Sequence, residues 1–446
     1  MDSQSAAAGR GRSWKSPAVL LAACLFALSM HAYVELVHRR AAAALAERGL
    51  EANFSDLYPY WFGTRLVLRE GGDPYGAAAT KRIQTAYYGR PLDPSRPSDP
   101  KDEHRFIYPI YVCLLLAPIS LVSFGTAELL FTILLPLAAV GSVRLWSWAL
   151  SLRLSSRTLL LASVMVLGSM PFAEGYSLTQ ISLLAMAVIA GACAAVTAGH
   201  HKTAGVLLAL ATVKPHLALP FAAWFLLWSV GGWRHRKGVL GGFAATLGVL
   251  LAGSELILPG WFSRWWATVQ AFSRYQKPPL AQVMFGESGG VLVAALVVLA
   301  VAATCWMLRR CDPGSKEWAA VMSLVAVGTA VVIPNADAVY DHLIMLPAAL
   351  WLGTQAAGFP QWRLVKRAIY ATAAALLGWQ WLAAAAVCLI ALASARWGSN
   401  LFVLSLPIRS EPALPFVALL LVGLFLRDEA FGRQPISVPT PSTPPR

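Results

Sequence analysis

An all-α bundle of membrane-spanning helices is the fold class this sequence predicts, from its composition, the placement of its charges and the lengths of its apolar runs. Of 446 residues, 57% are hydrophobic and 13% charged, about half the charged fraction of an ordinary soluble domain. The mean hydropathy is +0.58. A spanning helix needs roughly 20 mostly apolar residues, because the hydrocarbon layer is about 30 Å thick and each helical residue rises about 1.5 Å. Many windows meet that length. The formal charge of +14 falls at the ends of apolar runs, as topology signals do, and not on one soluble face, so no nucleic-acid partner is expected. The partner it implies is the lipid bilayer. Six cysteines without a C-x-x-C pair indicate neither a zinc site nor a disulfide framework.

Residues 1–16, with Arg10, Arg12 and Lys15, read as a basic cytoplasmic N-terminus. Residues 17–37 read as a first transmembrane helix; no small-residue cleavage site directly follows the apolar stretch, so it is expected to remain uncleaved. Residues 38–107 form a long polar loop with short amphipathic helices, broken by the Pro-rich PLDPSRPSDPKDEH, which cannot continue a helix. Residues 108–427 are a transmembrane bundle, with spans expected near 128–149, 157–172, 180–198, 239–258, 289–308, 318–333, 338–354, 368–392 and 413–426. Two regions stay ambiguous: 108–122, with Pro109 and Pro118, spans or re-enters, and 203–230 is one helix kinked at Lys214-Pro215 or two short ones. The expected total is 10 to 13 spans. The Pro, Ser and Thr-rich end of 428–446 predicts a disordered cytoplasmic tail.

Short loops 231–238, 309–317 and 355–367 are basic, whereas 334–341 holds Asp337 and Asp341 without Lys or Arg. Basic loops face the cytoplasm, which puts the 38–107 loop and the 334–341 turn on the outer face of a cell membrane. The basic stretch from Arg144 to Arg157 fits only if 108–122 does not cross.

The first loop reads NFSDLYPYWFGTRLVLREGGDPYG, with Asp56 beside Tyr58, Tyr60 and Trp61. A carboxylate among aromatic rings suits stacking on a sugar and removing a hydroxyl proton. It equally suits an interfacial aromatic belt with a solvated acid. The pattern D-x-x-x-Y-W, the short helix, the G-G-D-P-Y turn and Tyr108-Pro109 together resemble the membrane glycosyltransferases of family 87, which include polyprenyl-phosphate-mannose-dependent mannosyltransferases. The later segments GYSLTQISLL, LATVKPHLAL and PNADAVYDHLIMLP extend the resemblance over roughly residues 15 to 355.

That resemblance implies a GT-C fold, a lipid-phosphate sugar donor and no cofactor. It implies Asp56 as the base that deprotonates an acceptor hydroxyl attacking the anomeric carbon with inversion. The matching positions Tyr60, Trp61, Arg65, Asp73, Tyr75, Gln180 and Asp341 are then candidate substrate-binding residues. The departing polyprenyl phosphate calls for a buried cation, and Lys214, set in an apolar segment, is the candidate; snorkelling to the headgroups is the plainer reading. Tyr340 and His342 begin a helix on the outer face, where anions are favoured, so both are candidates to hold the donor phosphate. His342 is also a candidate to orient Asp56, and the Asp341-His342 pair reads as well as a helix cap. Glu174 shares this logic more weakly. Arg65, Arg69, Lys101 and Arg105 suit an anionic acceptor glycolipid. No D-x-D in the first loop, no P-loop and no H-E-x-x-H is present, which removes nucleotide-metal, ATP-driven and zinc-protease readings. Two alternatives stand beside transfer of a hexose to a glycolipid or glycan. One is a secondary transporter or flippase of lipid-linked sugars, with its ionisable groups at mid-depth; the other is a non-catalytic assembly partner.

Overall fold

The computed structural model describes residues 17–398 and 400–431. Among these residues the chain is helical and has no strand, and it is a multi-pass membrane protein. The first helix, α1 (Pro17–Ala46), runs beyond the expected 37 because the AAAALA segment, with little apolar mass, is a strong helix former and Glu35 pairs with Arg39 one turn on, at 2.7 Å. The first loop folds into α2 (Leu57–Glu70) and α3 (Ala77–Tyr88). Residues 91–104 then pass without helix. The segment 108–122 does not cross: it makes only α4 (Tyr111–Leu115) and a 3-10 turn, Ala117–Leu121.

The bundle follows as α5 (Phe124–Ala149), α6 (Ser156–Leu167), α7 (Met170–Ser177), α8 (Ser182–Thr197), α9 (His201–Ala211), α10 (Pro215–Gly231) and α11 (Trp233–Ile257). An amphipathic α12 (Trp261–Ser273) and a short α13 (Leu280–Phe285) precede α14 (Glu287–Met307) and α15 (Lys316–Val331). A 3-10 segment, Val339–Met345, leads into α16 (Leu346–Gln355), followed by α17 (Leu364–Ala393), the short α18 (Ala395–Gly398) and α19 (Leu401–Leu404), and α20 (Leu414–Phe431). The helix therefore covers 428–431 of the expected tail; the remaining tail residues and the basic N-terminus lie outside the described residues.

Among the described residues seven stretches are long and apolar enough to cross a membrane, or eight if α6 and α7, bent by 55°, count as one broken span. That is fewer than the 10 to 13 the apolar windows suggest. The reason is length: α8 has 16 residues, α9 11 and α15 16, and 11 helical residues rise only about 16 Å of the roughly 30 Å needed. The 203–230 region is two helices, α9 and α10, with a break at Thr212–Lys214.

Contacts between loops fix the two ends of the bundle. Arg236 donates to the carbonyl of Arg309 at 3.1 Å, His201 meets the carbonyl of His235 at 2.8 Å, and Trp318 donates to the carbonyl of Ala149 at 3.0 Å. The basic loops before α6, α9, α11 and α15 thus share one end, and the chain direction carries the α16–α17 turn to it as well. From this end α9 and α10 form a hairpin whose tip carries Lys214. The segment after the first loop drops onto that tip: Tyr111 donates to the carbonyl of Thr212 at 2.9 Å.

The first loop packs against the other end. A Cβ at Gly63 would lie 2.4 Å from the ring of Phe106, whose side chain is fully buried and has nowhere to turn. Gly63→Ala is therefore expected to destabilise this loop by about 1–3 kcal/mol, read as a lower thermal midpoint and faster proteolysis between residues 90 and 105.

Candidate active site

Asp56 precedes α2 at the N-cap position, yet its side chain makes no cap hydrogen bond. Its backbone N–H instead donates to the carbonyl of Leu178 at 2.8 Å, which docks the loop on the α7–α8 turn. In that turn Thr179 has φ of 53°, a left-handed conformation that costs energy for a β-branched residue and is kept where the surroundings impose it. The turn presents Gln180, whose amide donates to Asp56 Oδ2 at 2.6 Å.

Opposite lies the hairpin tip. Lys214 is buried, and the carboxylates that act on its charge are Asp341 first and then Asp56. Its Nζ stands 5.6 Å from the centre of the Tyr108 ring and 5.9 Å from that of Tyr340. Tyr60 stacks on Tyr108 with ring centroids 3.6 Å apart. Two residues beyond Lys214, His216 Nε2 lies 2.8 Å from Asp341 Oδ2; a carboxylate only accepts, so this nitrogen carries the hydrogen. Asp56, Tyr108, Glu174, His216 and Tyr340 are each half-buried, while Gln180, Lys214 and Asp341 are buried beneath them.

Glu174 Oε2 and Gln180 Oε1 are buried here without a hydrogen-bond partner, while the Tyr60 hydroxyl lies beside that of Tyr108 and Ser182 beside Asp341. Unpaired buried polar atoms are uncommon in folded proteins. Both lie in the same cluster as Asp56 and Lys214. Among the described residues no three His, Cys, Asp or Glu side chains converge as metal ligands.

Burial pushes the Asp56 carboxyl up to about 7, against the pull of Lys214; Asp102 adds to the rise and the Gln180 hydrogen bond opposes it. A base works only when deprotonated. Catalysis through Asp56 is therefore expected to rise with pH and reach half its plateau near about 7, measured as kcat/KM from pH 5 to 9.

The cluster thus gathers Asp56, Tyr60, Gln180, Lys214, Tyr340 and Asp341 from the sequence-derived set. Four others hold the loop in place. Trp61 donates to the carbonyl of Val122 at 3.0 Å, and Arg65 lies 5.7 Å from the Trp61 ring and reaches the carbonyl of Ser120 at 3.5 Å. Asp73 accepts from the backbone N–H of Tyr75 at 2.9 Å and pairs with Arg264 of α12 at 3.1 Å. Tyr75 donates to the carbonyl of Tyr108 at 2.7 Å, which sets the height of the Tyr108 ring.

His342 is placed elsewhere. In the 3-10 segment Val339–Met345 it faces away from its neighbour Asp341 and bonds through Nδ1 to Glu411, whose other oxygen accepts from Gln380. This buried group borders a cavity of ≈ 350 Å³ among α6, α16, α17 and α20. Neither Asp56 nor Lys214 lines it. The sequence reading also passed over His216, although an ionisable side chain in the first turn of an apolar helix, two residues from Lys214, is a signal in itself.

A helix bundle that holds a half-buried acid, a buried cation and an aromatic shelf together at one end is the frame of a membrane-embedded enzyme. The chain matches the model of glycosyltransferase family 87 over residues 106–334, more than half its length, and it belongs to that family. It is a glycosyltransferase. The match begins after Asp56 and ends before Tyr340, so the two outer walls of the cluster lie beyond it. No curated protein and no solved structure matches the chain.

Proposed function

We propose that this glycosyltransferase moves a hexose, mannose by resemblance to the polyprenyl-phosphate-mannose-dependent members of its family, from a polyprenyl phosphate to a hydroxyl of a glycolipid or glycan. The observation that carries the reading is the Asp56 carboxylate, held by Gln180 and facing Lys214 beneath the Tyr60, Tyr108 and Tyr340 rings.

The acceptor oxygen attacks the anomeric carbon from the Asp56 side and its proton passes to Asp56. The bond from the anomeric carbon to the phosphate oxygen breaks, and the phosphate leaves with the electron pair. Attack opposite the leaving group inverts the anomeric centre. Lys214 takes the growing charge on the phosphate, where a preorganised cation is worth more than in water; His216, two residues on, donates from Nε2 to Asp341 and holds that carboxylate beside the tip. The half-buried rings of Tyr108 and Tyr340 supply a stacking surface for the sugar, with the fully buried Tyr60 ring packed behind Tyr108. No step calls on a cofactor.

The basic loops at the opposite end support an extracytoplasmic site in a cell membrane, since short basic loops stay in the cytoplasm. A lipid-linked donor suits that side, because it is delivered by the bilayer itself. Gathering of the ionisable residues into one cluster beneath the first loop also favours transfer over transport, which needs a path open to both faces. The test is donor choice: membranes containing this chain are given radiolabelled polyprenyl-phosphate hexose or the corresponding nucleotide hexose, with endogenous synthesis of the lipid donor blocked. Label is expected in acceptor only from the lipid donor; incorporation only from the nucleotide sugar would overturn the donor class.

A further inference from the structure

Both α14 and α20 pack on α15, and between them runs an apolar groove of ≈ 600 Å³. Leu296, Ala300 and Thr304 form one wall, and Leu420, Gly423 and Arg427 the other. Beyond the end nearer the active site, Phe285 and Phe416 meet edge to face with ring centroids 5.2 Å apart. At the other end it opens beside Arg427, among the basic loops. On α14 the lining runs from Val293 to Met307, a rise of about 21 Å. One leaflet supplies about 15 Å of hydrocarbon, so the groove accommodates the full length of an acyl chain.

At its mouth two cations and one carboxylate meet among the described side chains. Asp428, the carboxylate next to Arg427, is already bound by Lys366 at 2.7 Å, while Arg427 lies 3.5 Å from its other oxygen with a side chain 64% exposed. Two cations thus share one carboxylate. A guanidinium presents a rigid fork that matches phosphate oxygens, and a dry apolar slot beneath it takes a hydrocarbon chain. We propose that this groove binds an anionic phospholipid, one acyl chain lying between α14 and α20 and the phosphate held by Arg427.

The structure offers a clean way to fill it. A Cβ at Gly423 meets no atom within 4 Å, so a larger side chain enters the groove without displacing the packing behind it. Wild-type protein, Gly423→Leu, Ala300→Trp on the facing wall and Arg427→Gln are purified in mild detergent through repeated exchange, and the retained lipids are quantified by mass spectrometry. Wild type is expected to keep glycerophospholipid enriched in anionic headgroups over the source membrane. Gly423→Leu and Ala300→Trp are expected to lower that retention roughly tenfold, and Arg427→Gln to abolish the enrichment. Unchanged elution and sugar transfer show that each variant is folded. The proposal is overturned if wild type retains lipid in the proportions of the bulk membrane, if the two filling variants retain as much as wild type, or if the retained molecule is an isoprenoid phosphate.

Discussion

Asp56→Asn is expected to lower sugar transfer by at least about a hundredfold at equal expression, the size of effect that removal of a general base produces. The substitution is close to isosteric. The Asn carbonyl oxygen accepts the Gln180 hydrogen bond as Asp56 Oδ2 does now at 2.6 Å, and the backbone bond to Leu178 involves no side chain. What disappears is the group that takes a proton. The loss is therefore expected in kcat, with the thermal midpoint close to wild type. The rise of activity with pH, centred near about 7 in wild type, is expected to vanish from the residual rate. Asp56→Glu, which restores a carboxylate on a longer arm, should recover part of the rate and the pH dependence with it. A variant that loses rate but keeps the pH profile would assign Asp56 to positioning and move the base elsewhere; unchanged transfer would remove it from the chemistry.

The bundle was legible because apolar runs and basic loops obey the thickness and charge asymmetry of a membrane. Helix length was less so, since average hydropathy does not say where a helix stops. Val37 looked like an end because the residues after it are weakly apolar, yet alanine carries α1 to Ala46. Several apolar windows proved too short to span, and their early ends at Gln180 and Lys214 are what leave room for the cluster. Lys214-Pro215 did announce one of these breaks. Side-chain partners across long separations were the hardest to read. Asp341 and His342 are adjacent in sequence, but a 3-10 turn directs them to opposite sides: Asp341 to His216, 125 residues away, and His342 to Glu411, 69 residues away. Nothing local distinguishes those two directions.

The second large effect is expected at Lys214. Lys214→Met keeps most of the volume and the apolar stem while removing the charge, and is expected to reduce kcat by about 10²–10³-fold, as loss of one preorganised group that stabilises developing charge does. A purely structural lysine would give the same loss of rate by loosening the hairpin tip, so the rate alone does not decide its role. The pH profile does. Lys214 is the strongest influence holding the Asp56 carboxyl below the level that burial would otherwise impose. Without it the remaining influences push Asp56 higher, and the midpoint of the residual activity is expected to move to higher pH than in wild type. Lys214→Arg keeps the charge and should keep the midpoint, with a smaller loss of rate from the longer side chain under the Tyr108 and Tyr340 rings. Donor KM adds a second reading: with the cation gone, KM for the polyprenyl-phosphate sugar should rise more than KM for the acceptor. A Lys214→Met enzyme with reduced rate, unmoved midpoint and unchanged donor KM would assign Lys214 to the packing of the hairpin and leave the phosphate to another group.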